Sequence, residues 1–147
     1  MIFISYAKED HAYACELYLA LEVAELDPWM DKPPTPYDGR GLQIGQRWSS
    51  VLNQKIRDAD YVALLLSPRS VRKRGYVQVE FRTALQLMNE MPDNEVFVLP
   101  IVSEKCEVPS LRVGQIDLQD LQWEEVKPSE IAAFADRLTA IIKGHRP

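Results

Sequence analysis

The sequence predicts an α/β domain: a doubly wound, five-stranded parallel sheet of order 2-1-3-4-5 with helices on both faces. Two observations carry this reading. Apolar runs of strand length alternate with segments of helical periodicity along the chain, the pattern of right-handed β-α-β crossovers. The run Tyr61 to Leu66, Tyr-Val-Ala-Leu-Leu-Leu, is apolar without a break, as a central strand covered on both faces must be. No internal repeat or low-complexity tract competes with this pattern. A chain of 147 residues holds one such domain with a proper core and is too short for two, so residues 1–147 are read as a single domain.

Ile2-Phe-Ile-Ser-Tyr6 suits a short buried strand, and Asp10 is placed to cap a helix from His11 to about Glu25. Leu17, Leu21 and Ala24 give that helix its inward stripe. Leu26 to Asp31 is a weaker second strand, because Pro28 cannot donate a ladder hydrogen bond and belongs on an edge. The segment from Lys32 to Gly45 carries three prolines and three glycines, which forbid regular structure and predict a long exposed loop. A second helix follows from Gln46 to Asp58, with Val51, Ile56 and Trp48 as its inward residues. After the strand 61–66, Ser67-Pro-Arg-Ser70 and the basic turn Val71 to Gly75 lead into a helix ending near Glu90. Val96 to Val102 is a fourth strand and Gln115 to Leu118 a short fifth. Ser129 is placed to cap a last helix with Ile131, Phe134, Leu138 and Ile141 inward.

Composition narrows the function. A net charge of −5 argues against a nucleic-acid surface, although it allows a local basic patch at Arg69 to Arg74. Two cysteines, Cys15 and Cys106, lie far apart with no ligand-spaced partners, which predicts reduced thiols in a cytoplasmic protein and no metal site. His11 and His145 suggest neither a metal pair nor a triad base. The opening run Met1 to Ile4 is too short for a signal peptide or membrane span. Gly144-His-Arg-Pro147 reads as a helix end entering a linker, the expected edge of a module within a longer protein.

One carboxylate stands out. At about 100° per residue, Val77, Phe81, Ala84, Met88 and Met91 share one arc of their helix, with Glu80 roughly 60° from its centre. The residues three and four away are Tyr76, Val77, Thr83 and Ala84, so no local cation pairs with it. Its charge must meet solvent, a tertiary partner or a ligand. In a sheet of order 2-1-3-4-5, ligands bind beyond the carboxyl ends of strands one and three, where the winding reverses. That crevice falls at Ser5 to Lys8 and Ser67 to Ser70, and the helix leaving it carries Glu80.

The chain resembles the Toll/interleukin-1 receptor (TIR) domain family in its bacterial form, a flavodoxin-like fold. Phe3-Ile-Ser-Tyr6 with Asp10 is similar to the family's first box, Trp29-Met-Asp31 to its second-strand motif, and Gly45-Gln-Arg-Trp48 to the end of its BB loop. The resemblance implies that Glu80 matches the catalytic glutamate of members that cleave NAD between nicotinamide and ribose, with Tyr76 standing where the family carries tryptophan. It implies further that Tyr6, Ala7 and Lys8 line the adenylate and phosphates, Lys8 in a region where members often carry arginine. Asp31 and Trp48 would flank the BB loop, Ser67 would lie at the strand end and Tyr76 would pack on nicotinamide or ribose. Each also has a structural alternative: Trp48 as a core anchor, Ser67-Pro68 as a strand terminator, Lys8 and Asp31 as solvated charges. NAD is then a consumed substrate with no resident cofactor, and the partners implied are NAD and other TIR domains in homotypic assembly, with neither nucleic acid nor membrane.

The alternative within the family is a scaffold that acts by assembly without catalysis. Two other uses of a doubly wound sheet fail on residues. A phosphoacceptor receiver needs an aspartate where Ser67 stands and acidic residues where Ser5 to Lys8 stand. A Rossmann dinucleotide site needs Gly-x-Gly-x-x-Gly after the first strand, which is absent.

Overall fold

The computed structural model describes residues 1–72 and 76–145, without the side chains of Tyr76, Val77 and His145. Its centre is a five-stranded parallel sheet. The strands are β1 (Ile2–Ser5), β2 (Pro28–Trp29), β3 (Tyr61–Leu66) and β4 (Val98–Val102), with β5 (Arg112–Val113), β6 (Ile116–Asp117) and β7 (Glu124–Glu125) following. The helices are α1 (His11–Val23), α2 (Trp48–Asp58), α3 (Pro68–Arg72), α4 (Tyr76–Asn89) and α5 (Ile131–His145). The sheet order is β2-β1-β3-β4-β7, which makes the fold flavodoxin-like.

Alternation along β1 and β3 divides the core. Ile2, Ile4, Ala63 and Leu65 join α1 and α5 on one face. Phe3, Val62, Leu64 and Leu66 join α2 and α4 on the other. Successive side chains of a strand point to opposite faces, so Ser5, two residues after Phe3, belongs to the α4 side. That parity places the site.

Several expected elements are corrected. The fifth strand of the sheet is Glu124–Glu125, paired with Ile101 and Val102; residues Ile116–Asp117 instead form an antiparallel hairpin with Arg112–Val113. Two exposed glutamates held by backbone pairing at an edge leave no apolar trace in the sequence. α1 stops at Val23 because Glu25 turns to φ 59°, and its N–H bonds Glu22 O at 3.0 Å. Asp10 occupies the cap position without bonding the helix N–H groups, since its carboxylate is engaged elsewhere. Ser129 lies inside a short 3-10 turn that leads into α5, where Glu130 accepts from the Lys127 N–H at 3.0 Å. Ile142 is buried in place of Ile141. In α2, Leu52 and Ile56 are buried, while Trp48, the first residue of the helix, is 53% exposed at its loop end.

Candidate functional site

Glu80 is only 7% exposed. The buried face of α4 runs from Glu80 through Phe81 and Ala84 to Leu85, wider than the apolar arc alone, so the carboxylate lies inside the packing instead of in water. Its partner is Ser5 at the carboxyl end of β1, whose Oγ donates to Glu80 Oε2 at 3.1 Å. One hydroxyl is little compensation for a buried charge. Burial, with the nearby charge of Asp31 adding to it, raises the Glu80 carboxyl to about 8 against the opposing bond from Ser5.

Tyr6 and Asp31 close the same end of the sheet. Tyr6 follows β1 and donates from its hydroxyl to Asp31 Oδ1 at 2.5 Å. Burial first, then this bond to a carboxylate, pushes the Tyr6 phenol far upward, and Glu80 adds to the push. Asp31 also accepts from the Lys32 N–H at 2.9 Å. Glu80, Ser5, Tyr6 and Asp31 therefore form one cluster beyond β1 and β2, beside the point where the winding reverses.

The loop after β2 is folded onto this end. Leu42 N–H bonds Asp31 O at 2.8 Å, and Trp29 Nε1 donates to Arg40 O at 2.8 Å. Arg40 pairs with Glu22 of α1 at 3.0 Å and lies over the Tyr37 ring at 4.5 Å. Gly41 makes the close approach possible: a Cβ there would stand 2.3 Å from Asp31 O and 2.4 Å from Pro33 Cδ. Gly41→Ala is accordingly expected to lift the loop off Asp31 and cost about 1–3 kcal/mol, as overpacking against backbone does. Urea unfolding checks this, and an unchanged midpoint would contradict the close approach. Past Leu42 the loop is exposed, with the Ile44 side chain fully in solvent.

The remaining expected residues separate. Ala7 is fully buried, backbone included, and its carbonyl accepts from the Asp10 N–H at 2.8 Å, while Lys8 is exposed beside it. Trp48 stands outside the buried cluster. The side chain of Tyr76 lies outside the described residues. Ser67 is buried in a different network: its Oγ donates to Asp10 Oδ2 at 2.5 Å and accepts from the Ser70 N–H at 3.1 Å. Arg69 Nε reaches Asp10 Oδ1 at 2.7 Å and its Nη2 bonds Glu104, so the basic run starting at Arg69 begins with a paired residue. Lys73 and Arg74 of that run lie outside the described residues. Ser67 thus serves to join β3 to the start of α1.

The sequence points to Ser5 in the crevice and to Asp10 as a helix cap, but not to the bonding partner of either. That of Ser5 was detectable, because the period of two puts Ser5 on the face of Phe3 and hence opposite α4. Asp10 bonding Arg69 joins residues 59 positions apart, and no local pattern signals it. Among the described residues no group of three or more His, Cys, Asp or Glu is placed to hold a metal, and no helix is long and apolar enough to cross a membrane.

Compared with known proteins, the chain finds no match among curated ones. The family model described as TIR domain matches residues 2–139.

Proposed function

Because the chain belongs to the TIR domain family, we propose that it is an NAD nucleosidase that breaks the bond between nicotinamide and ribose, with Glu80 as the catalytic carboxylate. The observation that carries this reading is a buried carboxyl at the switch point whose hydrogen-bond partner among the described residues is one serine hydroxyl. An acid held this way costs stability and is retained where chemistry uses it.

The reaction suits one carboxylate. The C1′–N bond breaks with its electron pair going to the pyridinium nitrogen, so nicotinamide leaves neutral and needs no proton. Positive charge gathers on the ribose, and an ionised Glu80 stabilises it from close range. Water then adds at C1′ and gives ADP-ribose and one proton; attack by a group of the same nucleotide gives a cyclic product. In this reading Tyr6 and Asp31, bonded to each other, orient the ribose, and Asp31 acts on Glu80 through its charge. Lys8, the exposed cation next to them, is the contact for phosphate. The Trp48 and Tyr76 rings are the further contacts inferred from family position, while Ala7 and Ser67, both buried, support the site from beneath.

The test is nicotinamide release from NAD by the concentrated domain, followed by chromatography and mass. Glu80→Gln is expected to lower the rate about 10²–10³-fold, the range lost when a group stabilising transition-state charge is removed, with the fold intact by circular dichroism. A Gln variant that keeps wild-type turnover would end this assignment. Ile44 and Trp48, both exposed apolar side chains around one loop, favour the second reading, homotypic TIR assembly. It stands alone if neither the free domain nor a tethered oligomer releases nicotinamide.

A further inference from the structure

We propose that the cleft between α2, α4 and β5 binds a small soluble ligand through its phosphate groups. The cleft, about 320 Å³ in volume, is lined by Arg57 from the last turn of α2, Arg82 and Gln86 from α4, and Arg112 from β5. Arg82 is two residues from Glu80, about 200° around the helix, so the cleft opens on the opposite side of α4 from the catalytic cluster.

Three arginines line this one cleft in a chain of net charge −5. Among the described residues none of them joins an ion pair; the arginines that do are Arg40, Arg69 and Arg137. The carboxylate closest in register is Asp117, the cross-strand partner of Arg112. It is spent on the Ser110 hydroxyl at 2.6 Å and on the N–H groups of Gln119 at 3.0 Å and Leu111 at 3.2 Å. Arg112 acts on Asp117 only through its field, so among the described residues no carboxylate bonds any of the three side chains, and their donors are left for a ligand.

Like charges held together from three separate elements cost free energy that an anion relieves, and the planar fork of arginine fits phosphate oxygens two at a time. The scaffold is rigid. Leu52 and Ile56 of α2 share a core with Phe81 and Leu85 of α4, while Asn89 at the end of α4 holds the β5–β6 hairpin through Val113 O and the Gln115 N–H. Such preorganisation lowers the cost of binding. The volume matches small ligands, and the half-buried Leu87 and Val113 give the cleft an apolar wall for the carbon part of a phosphate ester.

This site does not rest on NAD cleavage, and its test reads binding. Pyrophosphate titrated into the domain at constant ionic strength, followed by calorimetry, is expected to bind saturably. Arg82→Gln and Arg112→Gln are each expected to weaken binding about 10-fold or more, the effect of losing one charge-assisted hydrogen bond. Glu80→Gln is expected to bind as the wild type does. These arginines are exposed, so the variants keep the fold. Absence of saturable binding overturns the proposal, as does equal binding by the double variant, or a response that sodium chloride reproduces at the same ionic strength. Retention on phosphatidylserine vesicles without pyrophosphate binding would assign the cleft to lipid instead. Self-association that the arginine variants abolish, again without pyrophosphate binding, would assign it to a second copy of the chain.

Discussion

Between about pH 4.5 and about pH 8 the wild-type domain is expected to lose about 3–5 kcal/mol of stability through Glu80 alone, and Glu80→Gln to lose none of it. An unfolded glutamate releases its proton near 4.5, whereas the folded one holds it to about 8. In that window the folded state binds more protons than the unfolded state, so stability falls as pH rises and levels off above the folded value. At about 1.4 kcal/mol per pH unit the full gap, with the Ser5 bond already included, corresponds to about 5 kcal/mol, which relaxation around the charge reduces. Melting curves of the two proteins should coincide near pH 4.5 and diverge by roughly 10 °C near pH 8.5 for a domain of this size. Parallel curves would show that Glu80 ionises normally inside the fold.

The same group makes the rate depend on pH. Only the ionised form stabilises the ribose cation, so kcat/KM is expected to rise toward about pH 8 with the free carboxyl. The positive charge of bound nicotinamide favours the carboxylate, which moves the limb in kcat to lower pH. A limb at one pH in both parameters would contradict direct contact between substrate and Glu80.

Asp10→Ala is expected to cost about 2–4 kcal/mol, the second large effect. Asp10 is almost fully buried and accepts from both Ser67 and Arg69. Removing it deprives Ser67 Oγ of its acceptor and leaves Arg69 with Glu104 as its remaining bonded partner. The value stays below that for a fully buried pair because the Arg69 side chain is 39% exposed. Asp10→Asn keeps an acceptor for Ser67 without the charge and should fall between the wild type and Ala. Urea unfolding orders the three, and an Asn variant as unstable as Ala would assign the whole effect to charge.

What was legible in the sequence follows from what each element depends on. β3 was read to its ends because an uninterrupted apolar run reflects burial on both faces. Glu80 was noticed because a carboxylate beside an apolar stripe without a helical partner departs from amphipathic order. Its depth was not legible: the apolar arc places it on the rim, and only the approach of β1 with Ser5 encloses it. β7 escaped because backbone hydrogen bonds at an edge require no particular side chain. Trp48 and Ile141 were read inward by hydrophobicity, which does not record where the neighbouring layer ends. The Tyr6–Asp31 bond was half legible, since both residues were expected at the site but not in contact with each other.

The sheet ends in two very short strands, Pro28–Trp29 on one side and Glu124–Glu125 on the other. Neither offers a good template for another chain's backbone: the first lacks a donor at proline, and the second is two residues long and carries charged side chains, Glu124 paired with Arg137 and Glu125 exposed. Copies of this domain that gather at high local concentration therefore meet through side chains and not by strand addition.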